Sequence, residues 1–293
     1  MDPRAWRRFK RNRGAVVGAS IVGSLIAFAL LAPVVLGQDP LASDLEHGRT
    51  ADGTPAPPSA LHLLGTDSLF RDELSRLAHG ARLSLEIGFA ATAISVFIGA
   101  ALGIVAGYSH GQAWRIGPIR IGLDGVIMRF VDVGLSFPFL LLVMAIAAAV
   151  DRTTEATILL VLGLTSWLGT ARVVRSKTIQ VRDLDFVLAS RALGQRTSVI
   201  LLRHILPNVG GVLIVLATIS VAQMILAEAV LSYLNLGIAP PAPTWGHMLL
   251  EGQRAYLAAP WMLVAPGVAL LLSVLGFNLL GEGLRDALDP KEG

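Results

Sequence analysis

The sequence predicts an all-helical integral membrane protein with about six transmembrane helices. Three observations carry that expectation. Hydrophobic residues fill 54% of the 293 positions and charged residues only 15%. Mean hydropathy is +0.65. The apolar residues gather into six runs of about 20 residues, each long enough to cross a hydrocarbon core as a helix, with the charges collected between them. In hydrocarbon only a helix satisfies its own amides and carbonyls, so every run is read as helical.

The first unit is residues 1–37. A basic stretch (Arg4, Arg7, Arg8, Lys10, Arg11, Arg13) leads into an uncharged run from Gly14 to Gln38. That run exceeds the core of a cleaved signal peptide and reads as a retained anchor. Residues 38–82 follow as an extracytoplasmic unit. Asp39–Ala60, with Pro40, Pro55, Pro57 and Pro58, reads as an irregular exposed loop. Thr66–Gly80 reads as a separate amphipathic helix along the outer interface, capped by Thr66 or Asp67, striped by Leu69, Phe70, Leu74 and Leu77, and ended by Gly80. Residues 83–293 form the remaining five-helix core, with spans at Ile87–Tyr108, Val126–Val150, Ala156–Val174, Val209–Leu231 and Trp261–Leu280. Ala239–Trp245, with three prolines, is a stiff outer loop whose Trp245 suits the interfacial aromatic belt.

Charge sets the orientation. A cytoplasmic N-terminus places Arg115, Arg120, the basic run from Arg172 to Arg203, Arg285 and Lys291 on one side. Arg49, Arg71, Arg76, Arg82, Arg152 and Arg254 are then left outside. The excess of inward cations favours this arrangement, with both termini in the cytoplasm. The same topology accounts for the net charge of +3, so no nucleic-acid partner is expected.

The absences narrow the function. The lysines, Lys10, Lys177 and Lys291, follow Phe9, Ser176 and Pro290, so no Gly-Lys-Ser/Thr phosphate cradle is present. There is no His-Glu-x-x-His pair, no Gly-x-Ser-x-Gly elbow and no Cys. The expectation is a chain without catalytic residues, metal ligands or a cofactor of its own.

The longest inner loop, residues 175–208, carries the functional signal. Phe186, Ala189, Ser190 and Leu193 fall at helical i, i+3, i+4, i+7 spacing and make a short helix with a small and apolar face. Two turns are marginal alone in water, so the helix needs a partner surface. Gly194 supplies a turn after it, and Pro207 a start or kink for the next span. From these residues alone two readings stand: a helix seated in a groove of another protein, or a loop packed on its own spans. Polar groups inside spans are the other candidates, because they are costly there. Glu228 and Asn278 either line a passage or join helices by hydrogen bonds. Asp132 with Arg129, at i, i+3, reads as a local pair. Glu86 stands near the outer end of the second span.

Asp185–Asn208, DFVLASRALGQRTSVILLRHILPN, resembles the coupling-loop motif of ABC-importer permeases: Ala189, Gly194, Leu206 and Pro207 match at its spacing, while Leu188 replaces its Glu, Ser190 its second Ala and His204 its Ile. WRRFKRNRGAVVG, LGTDSLFRDELSRLAHGARLSL, AEAVLSYLNLGIAPPAPTWGHML and FNLLGEGLRDALDP resemble the dipeptide/oligopeptide/nickel permease group, second-permease type, with Phe70 where that group usually has Gly. The resemblance implies a MetI-like permease fold in a bacterial inner membrane. It also implies a homologous second permease, two ATP-binding cassette subunits and an extracytoplasmic substrate-binding protein as partners. The implied cargo is a di- or oligopeptide, with nickel or another small solute as the alternative. Phe186, Ala189, Ser190, Leu193, Gly194 and Pro207 would couple to the ATPases, and the fifth span would act as the lever. An ion-driven secondary transporter would instead show inverted repeats, and no repeat is evident.

Overall fold

The computed structural model describes residues 3–112, 114–116, 119–150 and 153–288. Arg152 and Lys291, counted above among the outer and inner charges, lie outside the described residues. Five helices are long and apolar enough to cross a membrane, and a bent pair brings the count to six where it acts as one broken span.

Helix α1 (Pro3–Arg11) leads into α2 (Arg13–Leu36) through Asn12, whose side chain caps α2 by accepting from the Ala15 amide at 3.1 Å. The last helix, α11 (Trp261–Leu288), lies against α2 so closely that a Cβ at Gly18 would sit 2.5 Å from the Leu280 nitrogen. Asn12 also donates to Asp286 at 2.9 Å, which ties the two termini of the bundle together.

Helix α3 runs unbroken from Glu73 to Tyr108, 36 residues or about 54 Å. The separate interfacial helix expected at Thr66–Gly80 is therefore corrected. Asp72 is the cap, accepting from the Ser75 amide at 2.7 Å, and Thr66 and Asp67 lie in the loop before it. Gly80 does not end the helix. It lets Trp245 approach, since a Cβ there would lie 3.3 Å from that ring. Phe70 has φ +60°, the left-handed region that favours glycine, which accounts for the Gly usual at that place in the resembled group.

Helices α3 and α6 (Glu155–Arg182) form the tightest pair. Gly99, Gly103 and Gly107 recur every fourth residue on α3, and a Cβ at Gly103 would lie 2.6 Å from the Ala171 carbonyl oxygen of α6. Small residues at this spacing let two backbones touch, the packing available where lipid removes the hydrophobic drive between helices. A two-stranded hairpin, β1 (Trp114–Ile116) and β2 (Ile119–Ile121), follows α3 and is the one sheet among the described residues.

The third predicted span is broken. Helix α4 (Leu123–Leu135) and helix α5 (Phe139–Ala148) meet at 82°. Pro138 has no amide hydrogen and disfavours helical geometry at Phe137, so the helix stops there and restarts.

Segment 38–72 carries no regular element but is not loose. The His62 ring sits between Asp72 (2.9 Å) and Asp44 (3.3 Å), and Trp261 donates to the Thr66 carbonyl at 3.0 Å. Helix α10 (Trp245–Ala255) packs beside it. Trp245 is fully buried and donates to the Leu77 carbonyl at 3.2 Å, so it packs inside the chain and not in the interfacial aromatic belt expected of it. The bundle thus has a loop end, holding segment 38–72 and α10, and a basic end, holding α1, the hairpin and the segment after α6.

Candidate functional site

The basic end is built on the end of α6. Arg182, its last residue, donates through Nη1 to the Tyr108 (3.0 Å) and His110 (2.6 Å) carbonyls and so closes the end of α3. Helix α7 (Asp185–Ala192) follows after a short turn. Its anchor is Val187, fully buried with Val181, Ile200, Ile205 and Val209. Ser190 faces the same way: its hydroxyl donates to the Phe186 carbonyl at 2.8 Å and meets His204 Nε2 at 3.3 Å. The residues expected to share one face are therefore divided. Phe186, Ala189 and Leu193 are exposed, and Ser190 is turned inward.

The exposed side of α7 is strongly apolar. Leu184, Phe186 and Leu188 each show more than two fifths of their surface, and Leu193 shows 83%. Gly194 closes the helix with φ +74°. Its amide donates to Arg191 and the Gln195 amide to Ser190, which is the paired hydrogen bonding of a left-handed helix end. Arg191 lies over the Tyr108 ring at 5.1 Å, a second tie between α7 and α3.

From Thr197 the chain runs as one 37-residue helix to Tyr233. It comprises α8 (Thr197–Ile200), a π-turn at Leu201–Ile205 and α9 (Leu206–Tyr233). Pro207 stands just beyond the π-turn. A proline inside a helix removes one hydrogen bond and crowds the carbonyl four residues earlier, and the wider turn accommodates both. Pro207 thus stands in the first turn of α9 directly after the π-turn, and α7 and α9 are joined by continuous helix except for residues 193–196.

The polar candidates inside the spans separate. Glu228 is fully buried, accepting from Ser84 of α3 at 3.1 Å and from Ser232 at 2.7 Å, so it links helices. Asn278 is exposed and donates to its own Val274 carbonyl at 2.8 Å. Glu86 is exposed. Asp132 is exposed but does not pair with Arg129. It accepts from Arg172 Nη2 of α6 at 2.6 Å, a correction that depends on α4 lying beside α6. Two residues were missed by sequence reasoning: Arg172, which was read as part of an inner basic run, and Gln223, exposed on α9. A cavity of about 450 Å³ opens at the α4–α5 break, lined by Leu135, Phe137, Ser166, Leu168, Gln223 and Met224 among others.

This arrangement fits what the chain is similar to. Residues 99–292 match the family described as binding-protein-dependent transport system inner membrane component. The chain belongs to that family. Residues 4–58 match the N-terminal TM domain of oligopeptide transport permease C. Among curated relatives, the dipeptide transport system permease protein DppC of Alkalihalophilus pseudofirmus is 38% identical over 287 residues, 98% of this chain and 89% of the relative. The oligopeptide transport system permease protein OppC of Bacillus subtilis is 37% identical over 98% of this chain and 88% of its own length. The glutathione transport system permease protein GsiD of Pectobacterium atrosepticum is 38% identical over 98% and 90%. A solved structure of the MetNI methionine ABC transporter in inward-facing conformations aligns with TM-score 0.53 at 18% identity, covering 73% of this chain and 96% of the other, and establishes the permease fold.

Proposed function

We propose that this permease forms half of the passage of an ATP-driven importer of di- and oligopeptides. It pairs with a homologous second permease, receives cargo from an extracytoplasmic binding protein at the loop end, and rests on two ATP-binding cassette subunits at the basic end, with both termini in the cytoplasm. The peptide cargo is supported by relatives named for dipeptides, oligopeptides and glutathione, itself a tripeptide. Hydrolysis belongs to the separate subunits, because this chain has no phosphate cradle.

One observation carries the mechanism: α7 has a buried anchor, an exposed apolar face and a nearly continuous helical link into α9. An ATPase groove closing on Phe186, Ala189 and Leu193 would move α7 as a rigid piece, and four residues around Gly194 are too few to absorb the displacement. The motion then passes into α9 and shifts the bundle between outward-open and inward-open states. The chain has no cysteine, so Ala189→Cys supplies a unique thiol. ATP-sensitive cross-linking of that thiol to an ATPase subunit in intact membranes is the expected result. Cross-links to lipid or to other helices alone would refute the coupling role.

A further inference from the structure

The Asp132–Arg172 pair stands where charges are costly. Asp124 of α4 is bridged to Arg175 Nη2 at 2.7 Å and to His110 at 2.6 Å, and this layer marks the rim of the basic end. Asp132 lies about 12 Å further along α4, and the Arg172 backbone about 5 Å further along α6. Phe130 and Val133 flank Asp132 on α4 and are largely exposed, and Leu168 stands one turn from Arg172 on α6. The Asp132 and Arg172 side chains are 56% and 53% exposed. An ion pair open to lipid at that depth is strongly disfavoured, so this face of α4 and α6 borders water, polar cargo or a partner subunit.

Immediately beyond the pair on the same two helices comes the 450 Å³ cavity, to which α4 gives Leu135 and α6 gives Leu168 and Gly169. Gln223 and Ser166 add polar groups to its largely apolar wall. The combination is one carboxylate, one guanidinium and an adjoining apolar recess. A short peptide presents the complement: an ammonium, a carboxylate and side chains between or beside them.

We propose that Asp132 and Arg172 line the passage and meet the charged termini of a short peptide in transit, Arg172 taking the carboxylate and Asp132 the ammonium. In the empty chain the two side chains neutralise each other. A passing peptide replaces that contact with two of equal charge type, so both groups stay paired throughout. Arg129, exposed one turn nearer the basic end, offers the carboxylate its next cation.

This rests on the peptide-importer reading, and the test separates the two. The complete transporter, with all its subunits and binding protein, is reconstituted in vesicles and ATP-driven uptake of dialanine is measured. No uptake by the unaltered transporter, with the binding protein failing to retain dialanine and longer peptides, sinks the cargo and the clamp together. Given uptake, the decisive variant is Asp132→Asn with Arg172→Gln, which removes both charges but keeps a hydrogen-bonding pair of similar shape. Uptake is expected to fall roughly tenfold or more, the scale of a lost charge-assisted hydrogen bond, while assembly and ATP hydrolysis stimulated by loaded binding protein persist. Arg172→Lys, which keeps the cation, is expected to retain most uptake. Undiminished uptake by the neutral pair would overturn the proposal. So would loss of assembly with the second permease in both variants, which would mark the pair as an intersubunit contact.

Discussion

The two ends of the bundle are held by opposite means. At the loop end Asp67, Arg71, Arg76 and Glu251 form a buried ionic knot: Arg71 Nε donates to Asp67 at 2.6 Å, Arg76 Nη2 reaches Glu251 at 2.7 Å, and Arg76 also bonds Asp67. At the basic end Val187, Ile200 and Ile205 make an apolar anchor, and leucines and a phenylalanine are left facing outward. The first end turns its charged groups inward, although Glu73 Oε1 and Arg76 Nε stay without a hydrogen-bond partner, and its exposed leucines, such as Leu61 and Leu257, are scattered over loops. The second gathers its exposed apolar side chains on and beside one short helix over a buried anchor, and that concentration marks an interaction site. Stability and coupling should therefore respond to different substitutions.

The largest effect on stability is expected from Arg76→Gln. Arg76 is 1% exposed and its loss leaves Asp67, equally buried, short of a partner. Breaking a buried pair costs about 3–5 kcal/mol, read as a lowered Tm of the purified chain, with Arg71 left as the remaining cation on both Asp67 and Glu251. A Tm within a degree of the unaltered chain would show that the knot is not what holds this end.

The same knot should be visible in pH. Burial pushes the Glu251 carboxyl up, but hydrogen bonding from His247 and the charges of Arg76 and Arg71 outweigh it and hold the group at about 2. Its folded value lies below the ordinary 4.5, so its contribution is complete above about 4.5 and is lost as pH falls towards about 2. The Tm of the unaltered chain should decline more steeply through that window than that of Glu251→Gln, whose amide does not titrate. Parallel curves would remove Glu251 from the account.

Much of the fold was legible because hydropathy writes spans directly into sequence, and Gly194 was legible because a left-handed residue after a short helix favours glycine. What escaped was non-local or masked. Gly80 reads as a helix end, yet it is small because a tryptophan 165 positions later packs on it. Arg82 and Glu86, read as an outer cation and a residue near the outer end of a span, are both exposed on one long helix. The α4–α5 break was announced by Pro138 and outweighed by the unbroken apolar run around it. Arg172 was hidden by its neighbours, since Arg175 and Lys177 made it look like one more inner-loop cation. Its partner, 40 residues earlier, is set by helix packing that no single sequence displays.

Gly194→Val is expected to cost less stability than Arg76→Gln but to do more to transport. A β-branched residue at φ +74° carries about 1–3 kcal/mol of strain, and nothing lies within 4 Å of the glycine, so the penalty is conformational and local. The chain should insert and keep its Tm within a few degrees, whereas α7 is re-aimed and ATP-dependent uptake is abolished. Uptake at the normal rate would mean that the aim of α7 does not matter.

The smallest change in stability should come from Leu193→Ser, and it is the sharpest probe of the difference between the ends. Leu193 is the most exposed large apolar residue of the α7 segment and is absent from the cluster around Val187. Its replacement should shift the stability of the isolated chain by no more than about 0.5 kcal/mol. If the apolar face is a docking surface, the side chain becomes buried only in the complex. Its removal then costs up to about 2 kcal/mol of association, seen as weaker retention of the ATPase subunits on purification and lower uptake at limiting ATPase. A closed surface predicts the reverse pattern, with any effect confined to Tm, so retention and Tm measured on one variant decide whether the basic end is open by design or merely unpaired.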